Sequence, residues 1–367
     1  MKQISYMHNV LYVFHPVFLR SVIKRNINGL KFFTLHKKVT DSLSTFTPYI
    51  IPFSNRFLIF HKYNIIVNSF LLKYLLRRLK INDYILWIYD PEAVAYLDYL
   101  EPLLSCYDCV DDYSAMPYYN SSPKRKRRLE NLEKQLIERC DLIFATSNNL
   151  YEQKRLYNSN TFLVENVGDF DHFNKVETTQ FDSDPLDFPN VKSPIIGFVG
   201  AIDNYKVDFN LIEYLADKRP DWAIVLIGAK MNPDEKKINF PSNSNIFYLG
   251  IKEYEKLPNY IAKFDACIIP YRINKYTECV FPIKFFEFLA TGKPIVTTAL
   301  PALNEFREVA NITNTYDEFI SALESVLSND TNDLKQRRIN VARNNTWESR
   351  KKRLLNHVYE TLEAKSI

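Results

Sequence analysis

The feature that most limits what this chain can fold into is an alternation that runs through it twice. Short apolar runs rich in β-branched and aromatic residues are each followed by a stretch long enough for a helix. The first series is "NVLYVF" (9–14), "YILWIY" (84–89), "SCYDCV" (105–110), "LIFATS" (142–147) and "TFLVEN" (161–166). The second is "PIIGFVG" (194–200), "WAIVLIG" (222–228), "IFYLG" (246–250), "ACIIP" (266–270) and "PIVTT" (294–298). Helical patterns separate many of the runs, among them 124–139, 210–218 and 254–263. Runs this short and this continuously apolar are strands buried on both faces, so the helices must cover parallel sheets from either side. Two series predict two doubly wound α/β domains.

The join between them is polar, acidic and proline-containing, with no sustained period, over residues 171–193. The expected organisation is a first domain at 1–170, a linker at 171–193 and a second domain at 194–346. One further helical pattern, 347–367, is capped by Asn345 or Thr346 and is expected to pack back on the first domain.

Charge is unevenly placed. The whole chain carries 47 basic and 43 acidic side chains. Residues 1–80 hold 13 Lys and Arg against Asp41 alone, a balance of +12. Such an end suits an anionic partner: a membrane surface, a nucleic acid or a phosphorylated substrate. Nucleic acid is disfavoured, because no recognition motif accompanies the basic residues. No window reaches about 18 uninterrupted apolar residues, so no spanning helix is expected. The stretch 69–80 is an amphipathic helix with basic residues on one side, either packed on a sheet or laid on a membrane surface. The start has no signal-peptide pattern. The five cysteines include one CxxC, Cys106 and Cys109, with no second pair or histidines at zinc-ligand spacing, and read as reduced thiols in a cytoplasmic protein.

"PIKFFEFLAT" (282–291) raises the sharpest chemical question. Pro282 and Gly292 bound a helix whose circumference is nearly all apolar. At about 100° per residue, Lys284, Glu287 and Thr291 share one arc of roughly 60°. A surface ion pair is the bland explanation. The arc is narrow for an exposed helix, however, and the helix starts where open parallel sheets bind ligands. A cation in its first turn suits phosphate, and a carboxylate one turn on suits a vicinal diol such as a ribose. Together they point to a nucleotide.

At the end of the third run lies "YDCVDDYSAMP" (107–117). Asp111 or Asp112, with Asp112 slightly preferred, is a candidate general base, since burial raises a carboxylate toward working pH. A helix cap is the alternative. The basic run "PKRKRR" (123–128) is either an acceptor-side contact for lipid phosphate or an exposed helix start. "DFD" (169–171) and "DSD" (182–184) have the form of an Asp-x-Asp metal signature but fall by the linker, and read as chance.

In order and spacing, "GFVGAIDNYKVD", "RPDWAIVLIG", "IFYLGIKEYEKLPNYIAKFDACIIPYRIN" and "PIKFFEFLATGKPIV" resemble the C-terminal half of GT-B glycosyltransferases of the family 4-like group 1. The likeness is greatest to bacterial teichuronic-acid and capsule enzymes. That resemblance implies the GT-B fold, two Rossmann-like domains facing across a cleft. It also implies transfer of a sugar from a nucleotide-sugar donor, UDP-linked, to a surface polysaccharide or a lipid-linked acceptor at the anionic inner membrane face. No cofactor is implied, and metal is not required in principle. Glu287 would hold the ribose, and residues near the helix start, Lys284 among them, the diphosphate. Gly200 would admit the diphosphate to the first loop, and Ile251 and Lys252 would lie along the base. Asn274 and Thr277 complete the expected donor set. "YDCVDD" also recurs in such enzymes.

Two departures accompany the likeness. The paired glutamates eight positions apart are absent, since Cys279 stands eight before Glu287. The chain also opens almost directly at its first strand, where related enzymes carry an extra strand and loop. A nucleotide-sugar epimerase or hydrolase on the same scaffold, and a non-enzymatic binder of anionic polymers, are the competing functions.

Overall fold

The computed structural model describes residues 3–18, 36–50, 58–178, 185–230 and 241–365. The "DSD" stretch, 182–184, lies outside them.

Near the start, β1 (Val10–Val13), β2 (His36–Lys38) and β3 (Leu43–Phe46) form a sheet in the order β1-β3-β2. β1 and β3 run parallel, and β2 antiparallel to β3. The run at 9–14 is therefore a strand, but it belongs to a separate small sheet rather than to the first parallel series. A four-stranded sheet follows, β4 (Ile85–Ile88), β5 (Leu104–Cys109), β6 (Leu142–Ala145) and β7 (Thr161–Leu163), adjacent in chain order. The pairs β4–β5 and β6–β7 are parallel.

The six-stranded sheet is fully parallel: β8 (Ile195–Val199), β9 (Ala223–Ile227), β10 (Ile246–Gly250), β11 (Ala266–Ile269), β12 (Ile295–Thr298) and β13 (Asn311–Thr313). Its order is β10-β9-β8-β11-β12-β13, so the winding reverses between β8 and β11. Every residue of β8, β9 and β11 is buried, as expected of strands covered on both faces. β13 is a three-residue edge strand that sequence reading missed, because "NIT" is too short and too polar to stand out.

Among the helices are α1 (Leu58–Arg78), α2 (Pro123–Arg139), α3 (Phe209–Lys218), α4 (Leu257–Ala262), α5 (Ile283–Ala290), α6 (Tyr316–Asn329), α7 (Asn332–Asn344) and α8 (Trp347–Lys365). α1 extends well N-terminal of the 69–80 segment read from sequence. α8 starts on a reciprocal cap: Thr346 Oγ1 accepts from Ser349 N–H, and Ser349 Oγ accepts from Thr346 N–H.

By compactness the chain divides into two units. One comprises Met1–Tyr107, Leu132–Leu142 and Leu355–Ile367; the other comprises Asp108–Asn131 and Ile143–Leu354. The second unit thus contains the carboxylate cluster at 108–112 as well as the six-stranded sheet. Its core includes Phe198, Ile212, Trp222, Leu226, Phe264, Phe285 and Phe288. In the first unit Phe46, Leu72, Leu75 and Leu100 pack together.

Candidate functional site

The reversal between β8 and β11 fixes where the second unit can hold a ligand. In an open parallel sheet the loops leaving the strands on either side of that point diverge, and the gap opens at the carboxyl edge. Here the loop after β8 carries Asp203, Tyr205 and Lys206, and the loop after β11 carries Tyr271, Asn274 and Tyr276. Backbone bonds tie the two loops together: Arg272 N–H donates to Lys206 O (2.8 Å) and Asp208 N–H to Pro270 O (2.8 Å).

Lys206 is the feature of this edge that sequence reading overlooked. Its ammonium stands 5.7–6.0 Å from the ring centres of Tyr205, Tyr271 and Tyr276. Among the described residues no carboxylate comes within ion-pair distance of it, although it is half-buried. The signal was present, since the lysine sits in a quoted stretch. What periodicity does not give is the strand order that brings it to the reversal point.

Asp111 reaches the same edge. Tyr276 Oη donates to Asp111 Oδ1 (3.1 Å). Burial pushes the Asp111 carboxyl above the usual carboxylate range, while the nearby Lys206 charge and the Tyr276 bond pull it back. Asp112 is used differently. Its Oδ1 accepts from Ser114 N–H (3.0 Å), Ser114 Oγ–H (2.8 Å) and Ala115 N–H (3.3 Å), capping a helical turn. Asp108 is fully buried against Arg350 (3.0 Å). Of three neighbouring aspartates, one is structural, one is a cap, and Asp111 alone meets the tyrosine and lysine cluster.

Glu287 and Lys284 form a second constellation. Lys284 Nζ pairs with Glu287 Oε2 and lies over the rings of Phe173 (5.3 Å) and Tyr254 (5.9 Å). Tyr254 Oη is 3.4 Å from Glu287 Oε1. The His172 ring stacks on Tyr254, with centroids 4.6 Å apart, and His172 Nε2 lies 2.9 Å from Tyr254 O. Glu287 is only 3% exposed. Burial therefore raises its carboxyl above the ordinary value, opposed by Lys284 and by the Tyr254 hydroxyl. Both charges face protein and each other, which answers why a helix built for burial carries them. Gly168 closes the back of the arrangement, because a Cβ there would stand 2.9 Å from Glu287 N.

The remaining expected residues fall along the same carboxyl edge. Gly200 N–H donates to Ile227 O (2.9 Å), and a Cβ on Gly228 (φ +146°) would meet Gly200 O at 1.7 Å. Ile251 is exposed. Lys252 is paired with Asp187, which also accepts from Tyr260 Oη (2.6 Å). Asn274 and Thr277 fold the loop after β11. Asn274 Oδ1 accepts from Tyr276 N–H (3.0 Å) and Thr277 N–H (3.1 Å), its Nδ2 donates to Tyr205 O (2.7 Å), and Thr277 is fully buried. Of the other sequence features, Asp169 caps the turn at Phe170–Phe173, and 123–128 opens α2. All five cysteines are buried free thiols.

Residues 193–329 match the family model described as "Glycosyl transferases group 1". The chain is 30% identical over 255 residues to a protein of Bacillus subtilis (strain 168) provisionally named teichuronic acid biosynthesis glycosyltransferase TuaH. That alignment takes in 66% of this chain and 63% of the relative, so the match spans a little under two thirds of the relative's length. Among solved structures, a sucrose-phosphate synthase from Thermosynechococcus elongatus superposes with a TM-score of 0.68 at 13% identity, covering 99% of this chain and 91% of that one. Anabaena HepE, solved in complex with UDP and glucose, superposes with a TM-score of 0.60 at 13% identity over 86% of each chain. At such identities these two likenesses are of fold.

Proposed function

We propose that the chain is a group 1 glycosyltransferase of the GT-B fold, with residues 193–329 carrying the family match, and that it transfers a sugar from a UDP-linked donor to a surface polysaccharide or its lipid-linked precursor. The observation that carries this reading is the half-buried Lys206 ammonium, near the Asp111 and Asp203 carboxylates but with none of the described carboxylates within ion-pair distance, at the point where the winding of the six-stranded sheet reverses. A cation so placed suits a diphosphate. HepE, a fold neighbour, was solved with UDP and glucose, which favours UDP. The relative's name favours an envelope polysaccharide.

In the reaction the bond between the anomeric carbon and the phosphate oxygen breaks, and the acceptor oxygen bonds to that carbon. Negative charge gathers on the departing diphosphate, where Lys206 stabilises it. The close approach of Gly200 and Gly228 leaves backbone rather than side chain at the mouth of β8 and β9. The acceptor's proton passes to Asp111, which burial and Tyr276 suit to that exchange. Glu287 accepts hydrogen bonds from the ribose diol, and Lys284 opposes the effect of burial on its carboxyl. Ile251 and Lys252 lie along the base. Asn274 and Thr277 act by holding the loop that presents Tyr276.

Thermal shifts with UDP, GDP and their sugars test donor binding and base preference together. UDP is expected to stabilise the fold, and Glu287→Ala to lose that stabilisation while remaining folded. Equal UDP affinity for the wild type and Glu287→Ala in calorimetry would refute the ribose assignment. Turnover of UDP-sugar without any acceptor would favour an epimerase or hydrolase instead.

A further inference from the structure

Asp203 is a buried carboxylate that the donor reading leaves without a task. It lies in the loop after β8 and is 1% exposed. Its Oδ1 accepts from Lys206 N–H (2.8 Å), and Val207 N–H donates to Asp203 O (2.8 Å). The side chain thus closes a turn on the very residue whose ammonium stands where the winding reverses. Val207 is also bridged to Tyr271 in the loop after β11, which leaves the turn little room to shift. The carboxyl is faced by the Lys206 ammonium and Tyr205 from its own loop and by Tyr271 from the loop after β11. Burial drives it up to about 6, opposed by the Lys206 charge and by two backbone N–H groups. Burial also raises both phenols, which stay neutral at working pH. Asp111 faces the same ammonium but is partly exposed, so water screens its charge better.

We propose that Asp203 is a positioning residue for the donor's diphosphate, aiming Lys206 through the turn and taking up a proton from solvent as the diphosphate binds. The inference rests on the UDP-sugar reading and adds a group to it. With Asp203 ionised, a buried negative charge stands beside the cation that must meet the diphosphate, and it repels that ligand. With Asp203 protonated the turn survives, because a neutral carboxyl still accepts a hydrogen bond, and the repulsion is gone. A bound diphosphate therefore raises the Asp203 value beyond that set by burial. The sign follows from linkage. Affinity is greatest where Asp203 is already protonated, and it is lost as the pH rises through the donor-bound value. Repulsion between charges at a protein edge is on the order of one pKa unit, or about tenfold in affinity.

The test is calorimetric titration of the full-length protein with UDP-glucose at pH 5 and pH 8. The sugar diester is used because a terminal phosphate, as in free UDP, itself titrates near pH 6. Wild type should bind about tenfold more weakly at pH 8 than at pH 5. Asp203→Asn keeps the turn acceptor and lacks the charge. It should bind about tenfold more tightly than wild type at pH 8 and equally at pH 5. Asp203→Ala loses the acceptor too, and should bind about tenfold more weakly than wild type at pH 5. Affinity for uridine, which has no phosphate, should be the same in all three proteins. A merely structural aspartate would not give an asparagine variant that binds more tightly at one pH alone. Melting temperatures report folding, and Asp203→Asn decides the matter if Asp203→Ala misfolds. UDP-glucose binding that is independent of pH in wild type, or equally pH-dependent in wild type and Asp203→Asn, overturns the proposal and leaves the donor reading standing. Parallel changes in uridine affinity overturn it as well, by assigning Asp203 to loop shape alone. Absence of UDP-glucose binding by wild type at both pH values overturns the donor reading and this inference with it.

Discussion

Tyr276 donates its phenolic proton to Asp111 across 165 residues of sequence, at 3.1 Å. The bond favours the ionised carboxylate, whereas burial favours the protonated acid. Tyr276→Phe removes the first influence and leaves the second, so the Asp111 pKa moves further up. If Asp111 must be ionised to accept a proton, the acidic limb of the kcat/KM profile moves to higher pH. A profile superimposable on wild type would separate Tyr276 from the base.

Asp111→Asn should reduce turnover by about 10²-fold or more, the usual contribution of a general base. UDP affinity should be nearly unchanged. The variant also has a stability signature. A carboxyl whose pKa is raised on folding contributes most at low pH, and that contribution is lost as pH rises through the folded value. Relative to wild type, Asp111→Asn should therefore melt higher at pH 8 than it does at pH 4. Paired melting curves check this. Asp112→Ala should instead cost about 1 kcal/mol as a lost cap.

Lys206→Met tests the diphosphate assignment. Calorimetric affinity for UDP should fall by about tenfold to a hundredfold, a loss of one or two charge-assisted hydrogen bonds. Affinity for uridine, which has no phosphate, should be unaffected. Equal loss for both ligands would mean that the lysine shapes the loop rather than meeting phosphate.

Lys284→Met leaves Glu287 buried without its cation, a change that costs on the order of 3 kcal/mol when one partner of a buried pair is removed. Lys284 lowers the Glu287 pKa, so its removal raises that value further. At pH 5 a larger share of Glu287 takes up a proton, and the loss shrinks. Denaturant midpoints at pH 5 and pH 8 should differ between variant and wild type in that sense.

Gly168→Ala should destabilise by about 1–3 kcal/mol, the range for overpacking. The added methyl would press on the backbone of Phe286 and Glu287 at 2.9 Å, and that backbone is already fixed by its helix. UDP affinity should fall together with stability.

Much of the fold could be read directly. Continuous apolar runs separated by helical lengths give parallel strands, and β8 to β12 fall within the stretches named from sequence. The short edge strand β13 and the separate small sheet at β1 could not be read, since strand partners are set by distant contacts. The site divides similarly. Glu287 and Lys284 were visible because a narrow polar arc on an apolar helix is a local contradiction. Tyr254 and His172, which complete the arrangement, lie 33 and 115 positions upstream and carry no local signal. Asp112 read as a slightly better base than Asp111, because the two differ only in what they bond. One caps its own turn, as "DYSA" allows, and the other meets a tyrosine from the far end of the unit.

Gly168 has a consequence beyond its own packing. Its N–H donates to Asn345 O, and the peptide that follows begins the tail helix, whose Arg350 reaches both Asp108 and Glu165 O. Four remote passes of chain are riveted at one spot, with no slack between them. A displacement of residues 345–350 would therefore be felt at the backbone of Glu287, and a tag fused at the C-terminal end is best joined through a loose spacer.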